Sequence, residues 1–319
     1  MNKAVFFLVL LAGCDTYGSG PGGNTPATFY VTNKASSSLT AFTTADTGDA
    51  SPASSILGTN TTLDQPEGIV LDPTGIVITT SANPPRILVF ASHAAGDVPP
   101  VTAIVGTNTR LSQPKGLALD PAGRLFVADA ASDSILVFAN GASGNVAPIS
   151  AIGGSNTLLA GPTGIAFDIR GRVYVANSLN NSVTVYAAGA SGNAAPIDTI
   201  AGPNTGLDQP LGVAVDPGGR IYVASATAAA ASSRVTVYAA TAKGNATPIA
   251  TITGASTGLD QPQGIALAGS GRIYVVSSAF SSLQFRITAY DPNANGDVAP
   301  VVLLRGAHTG LSVPSFISF

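Results

Sequence analysis

Apolar and polar positions fall in short blocks along nearly the whole chain. In residues 162–209 the apolar blocks are 164–168, 172–176, 182–187 and 196–201, separated by polar, Gly- and Pro-rich turns. Blocks this short, rich in β-branched and aromatic residues and bounded by turn formers, predict strands rather than helices. A strand exposed on one side would alternate apolar and polar, but Val173-Tyr174-Val175-Ala176 has no polar face. The pattern therefore predicts sheets covered on both sides. The block set then recurs. A Pro-x-Gly opens it at Pro66, Pro114, Pro162, Pro210, Pro262 and Pro314, in steps of 48, 48, 48, 52 and 52 residues. A Gly followed by Asp or Asn recurs in the same steps at Gly48, Gly96, Gly144, Gly192, Gly244 and Gly296.

A fixed period of this size means a repeat architecture, in which each unit buries its faces against its neighbours. Four antiparallel strands per unit, repeated radially, predict an all-β fold, a six-bladed β-propeller. The chain enters the pattern at the second strand, with Phe29-Tyr30-Val31-Thr32-Asn33, and ends on a first strand, Pro314-Ser315-Phe316-Ile317-Ser318-Phe319. The two incomplete copies complement each other, so one blade is expected to be closed by strands from both ends of the sequence. The expected divisions are a signal segment over 1–13, a tether over 14–26 and the propeller over 27–319.

The text Pro210-x-Gly-Val-Ala-Val-Asp-Pro-x-Gly-Arg-Ile-Tyr-Val-Ala224 resembles the NHL repeat family, and the resemblance extends over residues 28–319. It implies the same propeller fold. The family includes scaffolds, sensors and a few enzymes, so the resemblance carries no single activity. Its units are usually shorter than these.

Composition changes the picture in two ways. Charged residues are only 10% of the chain, the formal net charge is −3, and Glu67 is the only glutamate. There is no basic surplus for a nucleic-acid partner. The N-terminus reads Met-Asn-Lys, a run of apolar residues, then Leu11-Ala12-Gly13-Cys14. A lysine before a short apolar run is a secretory signal, too short to span a bilayer. The Leu-Ala-Gly-Cys ending resembles the lipobox of bacterial lipoproteins, which implies lipid attachment at Cys14 and a membrane-anchored place in the cell envelope. Cys14 is the only cysteine, so no disulfide can form within one chain.

Candidate chemistry is sparse. His93 is expected between third and fourth strands and His308 between blades, on opposite faces, so the two cannot share a metal. Neither shows a carboxylate partner in the local sequence. Asp72, Asp120, Asp168 and Asp216 each open an Asp-x-x-Gly turn, where an Asp side chain bonds the backbone ahead. No metal and no cofactor are expected.

Two regions vary while their surroundings repeat. The x of Pro-x-Gly reads Glu67, Lys115, Thr163, Leu211, Gln263 and Ser315, a ring of ligand-binding candidates at one channel mouth. The loops between second and third strands carry both four-residue insertions and share that face. Few His and a single Glu favour a non-enzymatic, monomeric module that binds an envelope protein, peptide or glycan. A propeller lyase or lactone hydrolase is one alternative, and a structural surface protein without a specific ligand is another.

Overall fold

The computed structural model describes residues 26–226, 233–279 and 284–319. The signal segment, Cys14, most of the tether and the inserted parts of the two long loops lie outside these residues.

Six sheets of four strands stand in a ring. Blade 3 shows the plan: Pro162–Phe167 innermost, then Val173–Asn177, Ser182–Tyr186 and Asp198–Ala201 outermost, each antiparallel to the last. Blades 1, 2, 4 and 5 follow it, with inner strands Ile69–Leu71, Pro114–Leu119, Pro210–Val215 and Pro262–Leu267. Blade 6 joins Thr28–Asn33, Ser38–Thr43 and Ser54–Ile56 to an inner strand from the other end of the chain, Pro314–Ser318. Its register places Tyr30 opposite Ser318 and Val31 opposite Ile317. The only helical turns described are short 3-10 turns between blades.

The two-sided apolar pattern is explained by the core. Val173, Tyr174, Val175, Ala176 and Asn177 are all buried. Val173 and Val175 pack toward blade 2, whereas Tyr174 and Ala176 pack toward blade 4. Burial on both faces thus comes from neighbouring blades rather than from a second layer.

The Gly of Pro-x-Gly sets how closely inner strands approach. A Cβ on Gly68, Gly116, Gly164, Gly212 or Gly264 would sit within 3.0 Å of the carbonyl oxygen of the x residue in the next blade. Only glycine lets the backbones meet this way. Just before it, Gln65, Gln209, Gln261 and Val313 have φ between 47° and 52°, which bends each connection sharply into the channel wall.

The second repeated marker does something the sequence reading did not foresee. From their place between third and fourth strands, Asp97, Asn145 and Asn193 are expected on the face opposite the Pro-x-Gly ring, and Asp49, Asn245 and Asp297 occupy the same position in the other copies. Each instead accepts a hydrogen bond from a backbone N–H in the preceding blade-to-blade turn: His308, Asn60, Asn108, Asn156, Asn204 and Ser256, at 2.7–2.8 Å. The glycine before each one pairs in parallel with the outer strand of the preceding blade. The third-to-fourth connection therefore climbs the outer wall and clasps its neighbour. Tyr186, Tyr238 and Tyr290 hold the same turns from inside, donating to the carbonyls of Thr157, Thr205 and Thr257. Burial pushes Tyr186 and Tyr238 up to about 12, so both remain phenol donors over the ordinary pH range.

One clasp is chemically distinct. At the seam between blades 5 and 6, His308 Nδ1 also lies 2.7 Å from Asp49 Oδ2. The expectation that neither His has a carboxylate partner is therefore corrected; the partners lie 259 residues apart in the chain. His308 is exposed, and among the described residues no three His, Cys, Asp or Glu side chains converge.

The hydrogen bond to His308 holds the Asp49 carboxyl below its usual range. A depressed carboxyl stabilises the fold above its unfolded pKa, about 3.9, and that contribution fades as pH falls through the lower folded value. His308→Asn, which introduces the residue of four other copies, should be less stable than wild type at about pH 5. The gap should close toward about pH 2. Melting curves at both pH values check this; an unchanged gap would refute the linkage.

Candidate functional site

The six x residues do gather at one mouth of the channel, because each immediately precedes or opens an inner strand. They do not form an exposed graded ring. Thr163 and Ser315 are buried. Thr163 Oγ1 donates to the carbonyls of Pro210 at 3.2 Å and Ala176 at 3.3 Å. Leu211, expected to be open to solvent, is half-buried, as is Gln263, whose Nε2 donates to the Gln261 carbonyl at 3.2 Å. The inward-facing start of each inner strand is crowded by the next blade, which leaves these four little freedom.

Glu67 and Lys115 are brought together, and a residue not singled out in the sequence joins them. Lys115 Nζ lies 2.7 Å from Glu67 Oε1 and 2.6 Å from Oε2. Lys34 Nζ lies 2.6 Å from Oε1. The three come from successive blades: Lys34 at the end of the second strand of blade 6, Glu67 before the inner strand of blade 1, Lys115 on that of blade 2. Side-chain exposure is 29% for Lys34, 14% for Glu67 and 16% for Lys115, so the charges meet partly out of water and are less screened than a surface pair.

The backbone beneath the cluster is pinned. Thr32 Oγ1 donates to the Glu67 carbonyl at 2.7 Å, and the Gly68 N–H donates to Thr80 Oγ1 at 2.8 Å. Thr32 and Thr80 occupy a second-strand position that is Ala128, Ala176 and Ala224 in blades 2 to 4. Blade 1 also departs from the others in having an inner strand of only three residues, Ile69–Leu71. The ordered strand begins after Glu67 rather than before it.

At the other end of the channel the Asp residues act as turn formers. Asp120 Oδ1 accepts the N–H groups of Ala122 and Arg124, and Asp168 repeats the arrangement with Arg170 and Arg172. Arg124, Arg172 and Arg220 pair with Asp120, Asp168 and Asp216 at 2.6–2.7 Å and lie over Phe126, Tyr174 and Tyr222.

A ring of six four-stranded blades, with a Lys–Glu–Lys cluster bridging three of them at one mouth, defines a β-propeller. The particular lineage follows from the sequence match: the chain belongs to the lactonase family described as a 7-bladed β-propeller, whose model matches residues 24–301. Here six blades close the ring, as the six copies require. No curated protein matches the chain. Solved structures share the fold at low identity. A protein of unknown function from Bacteroides caccae has 10% identity and a TM-score of 0.64, covering 92% of this chain and 98% of its own. A chain of the nidogen/laminin complex has 16% identity and a TM-score of 0.60, covering 91% and 97%. A chain assigned as a 6-phosphogluconolactonase from Bacteroides uniformis has 15% identity and a TM-score of 0.56, covering 91% and 84%.

Membership in the lactonase family overturns the expectation of a non-enzymatic binding module and supports the hydrolase alternative. A count of His and Glu is a weak guide here, because donors of other kinds can also stabilise developing negative charge.

Proposed function

We propose that the protein hydrolyses a lactone, with the Lys34–Glu67–Lys115 cluster as its site. The observation that carries this is the convergence of two ammonium groups at the channel mouth of a lactonase-family propeller. Water adds to the ring carbonyl carbon, negative charge develops on the carbonyl oxygen, and collapse of the adduct breaks the bond to the ring oxygen, which takes up the proton the water gives up to leave a hydroxy acid. Lys34 and Lys115 stabilise the oxyanion, and Glu67 positions both ammoniums. Their partial burial strengthens the effect, since charges act more strongly where water is scarce. The hydrolytic test is the ring-opening of δ-valerolactone followed by pH-stat. Lys115→Met should lower kcat/KM by about 100-fold, the scale for loss of one oxyanion donor, while melting within a few degrees of wild type. A wild-type protein that opens no lactone sinks the proposal.

The lipid anchor belongs to the same reading. Thr28–Asn33 runs toward the mouth and ends beside Lys34, so the chain enters the ring at the opposite face. A flexible tether of about a dozen residues reaches on the order of 20 Å. A propeller anchored at Cys14 in a bacterial envelope membrane would thus present its charged mouth away from the lipid. Cys14→Ala should abolish acyl labelling and move the protein into the aqueous phase of a detergent partition; retention in the detergent phase would refute the anchor. The NHL-like wording of each copy is, on this reading, how a lactonase-family ring encodes its inner strand and turn.

A further inference from the structure

We propose that the mouth cluster is a carboxylate-exchange site: Glu67 fills a seat that an external carboxylate, of the hydroxy-acid class produced by lactone opening, takes by displacing it. The inference rests on the lactonase reading for its ligand class, and on the geometry of the cluster for the exchange itself.

Both Glu67 oxygens face Lys115 Nζ, and one also faces Lys34 Nζ, all at 2.6–2.7 Å. This is how a free carboxylate would sit between two ammoniums. The other ring positions, Thr163, Leu211, Gln263 and Ser315, are uncharged, so the cluster is the charged sector of the ring and carries one excess positive charge. The backbone of Glu67 is held by Thr32 through its carbonyl, while Gly68 is held by Thr80. The side chain, by contrast, is held at its tip by the two lysines. It can swing out on its own torsions while the strand stays fixed.

Exchange also avoids the usual cost of such a site. A buried or half-buried ammonium left bare is unfavourable, but here one carboxylate leaves as another arrives. The released Glu67 regains water and side-chain freedom. The same logic gives the enzyme a built-in resistance to its product: Glu67 competes with every hydroxy acid the site releases.

The test is calorimetric titration with 5-hydroxypentanoate, the ring-opened form of δ-valerolactone. Glu67→Gln removes the internal competitor with little change in shape and should bind at least 10-fold more tightly than wild type. Lys115→Gln should lose measurable binding, and the Glu67→Gln affinity should fall steeply between low and high salt. Unchanged or weaker binding by Glu67→Gln overturns the exchange, as does wild-type binding by Lys115→Gln. Melting curves run beside each titration; should Lys115→Gln fail to fold, Lys34→Gln takes its place with the same expectation. No turnover enters these measurements. Loss of lactone hydrolysis with intact exchange would therefore count against the proposed function alone.

Discussion

Removal of residues 313–319 should lower the melting temperature by roughly 15 °C or abolish the cooperative transition, on the scale of a few degrees per kcal/mol for a chain of this size. The deleted strand touches three blades. Pro314–Ser318 pairs with Thr28–Asn33 inside blade 6. Ile317 is buried in the cluster that contains Phe29, Tyr274, Val276 and Ile287, which joins blade 6 to blade 5. Phe319 packs on Phe29 at 5.5 Å and on Tyr274 at 5.1 Å. On the other side Phe316 packs toward blade 1, and Ser318 Oγ accepts the Leu71 N–H at 3.2 Å. Burial of Phe316, Ile317 and Phe319 contributes about 5 kcal/mol at about 25 cal/mol per Å², before counting the backbone ladder. That is a large part of the stability of an ordinary domain. A truncated chain that melts within a few degrees of full length would show that the ring does not depend on this strand.

Gly68→Ala should cost about 3 kcal/mol, the upper part of the range for overpacking, and should take lactone hydrolysis down with it. A Cβ at Gly68 meets the Lys115 carbonyl oxygen more closely than the same atom at any other inner-ring glycine. The obstacle is backbone, which cannot rotate away as a side chain could. Blade 1 would have to move off blade 2, widening the gap that Glu67 and Lys115 bridge. The variant thus separates two ideas. If stability falls while hydrolysis per folded molecule is unchanged, the cluster is not the site. If neither changes, the close packing of inner strands is not what selects glycine.

Much of this was legible in the residues. The period, the four strands per unit, the two-ended blade and the placing of the x residues at a common mouth follow from local blocks and their spacing. The Asp-x-x-Gly turns were legible for the same reason, since an Asp that bonds the backbone two to four residues ahead needs nothing distant. Lys34 was not. It lies in the incomplete first copy, after a second strand, where no repeated marker points to it. Nor was the pairing of Asp49 with His308, or the role of the Gly-Asp and Gly-Asn markers. Their partners lie in the neighbouring blade's turn, and nothing in the local pattern shows that the connection carrying them climbs the outer wall to reach it.

What the sequence determined by itself is therefore the part of the protein that repeats: strand periodicity, blade number and the closing strand. These depend on patterns of burial that every copy states again. What only the tertiary structure decided is the part that does not repeat. Curving six nearly equivalent blades into a closed ring brings three unlike residues, Lys34, Glu67 and Lys115, to one point from blades 6, 1 and 2. The same closure sinks Thr163 and Ser315 out of reach. Contacts between blades depend on how far each backbone approaches the next, and that distance is set by the whole ring.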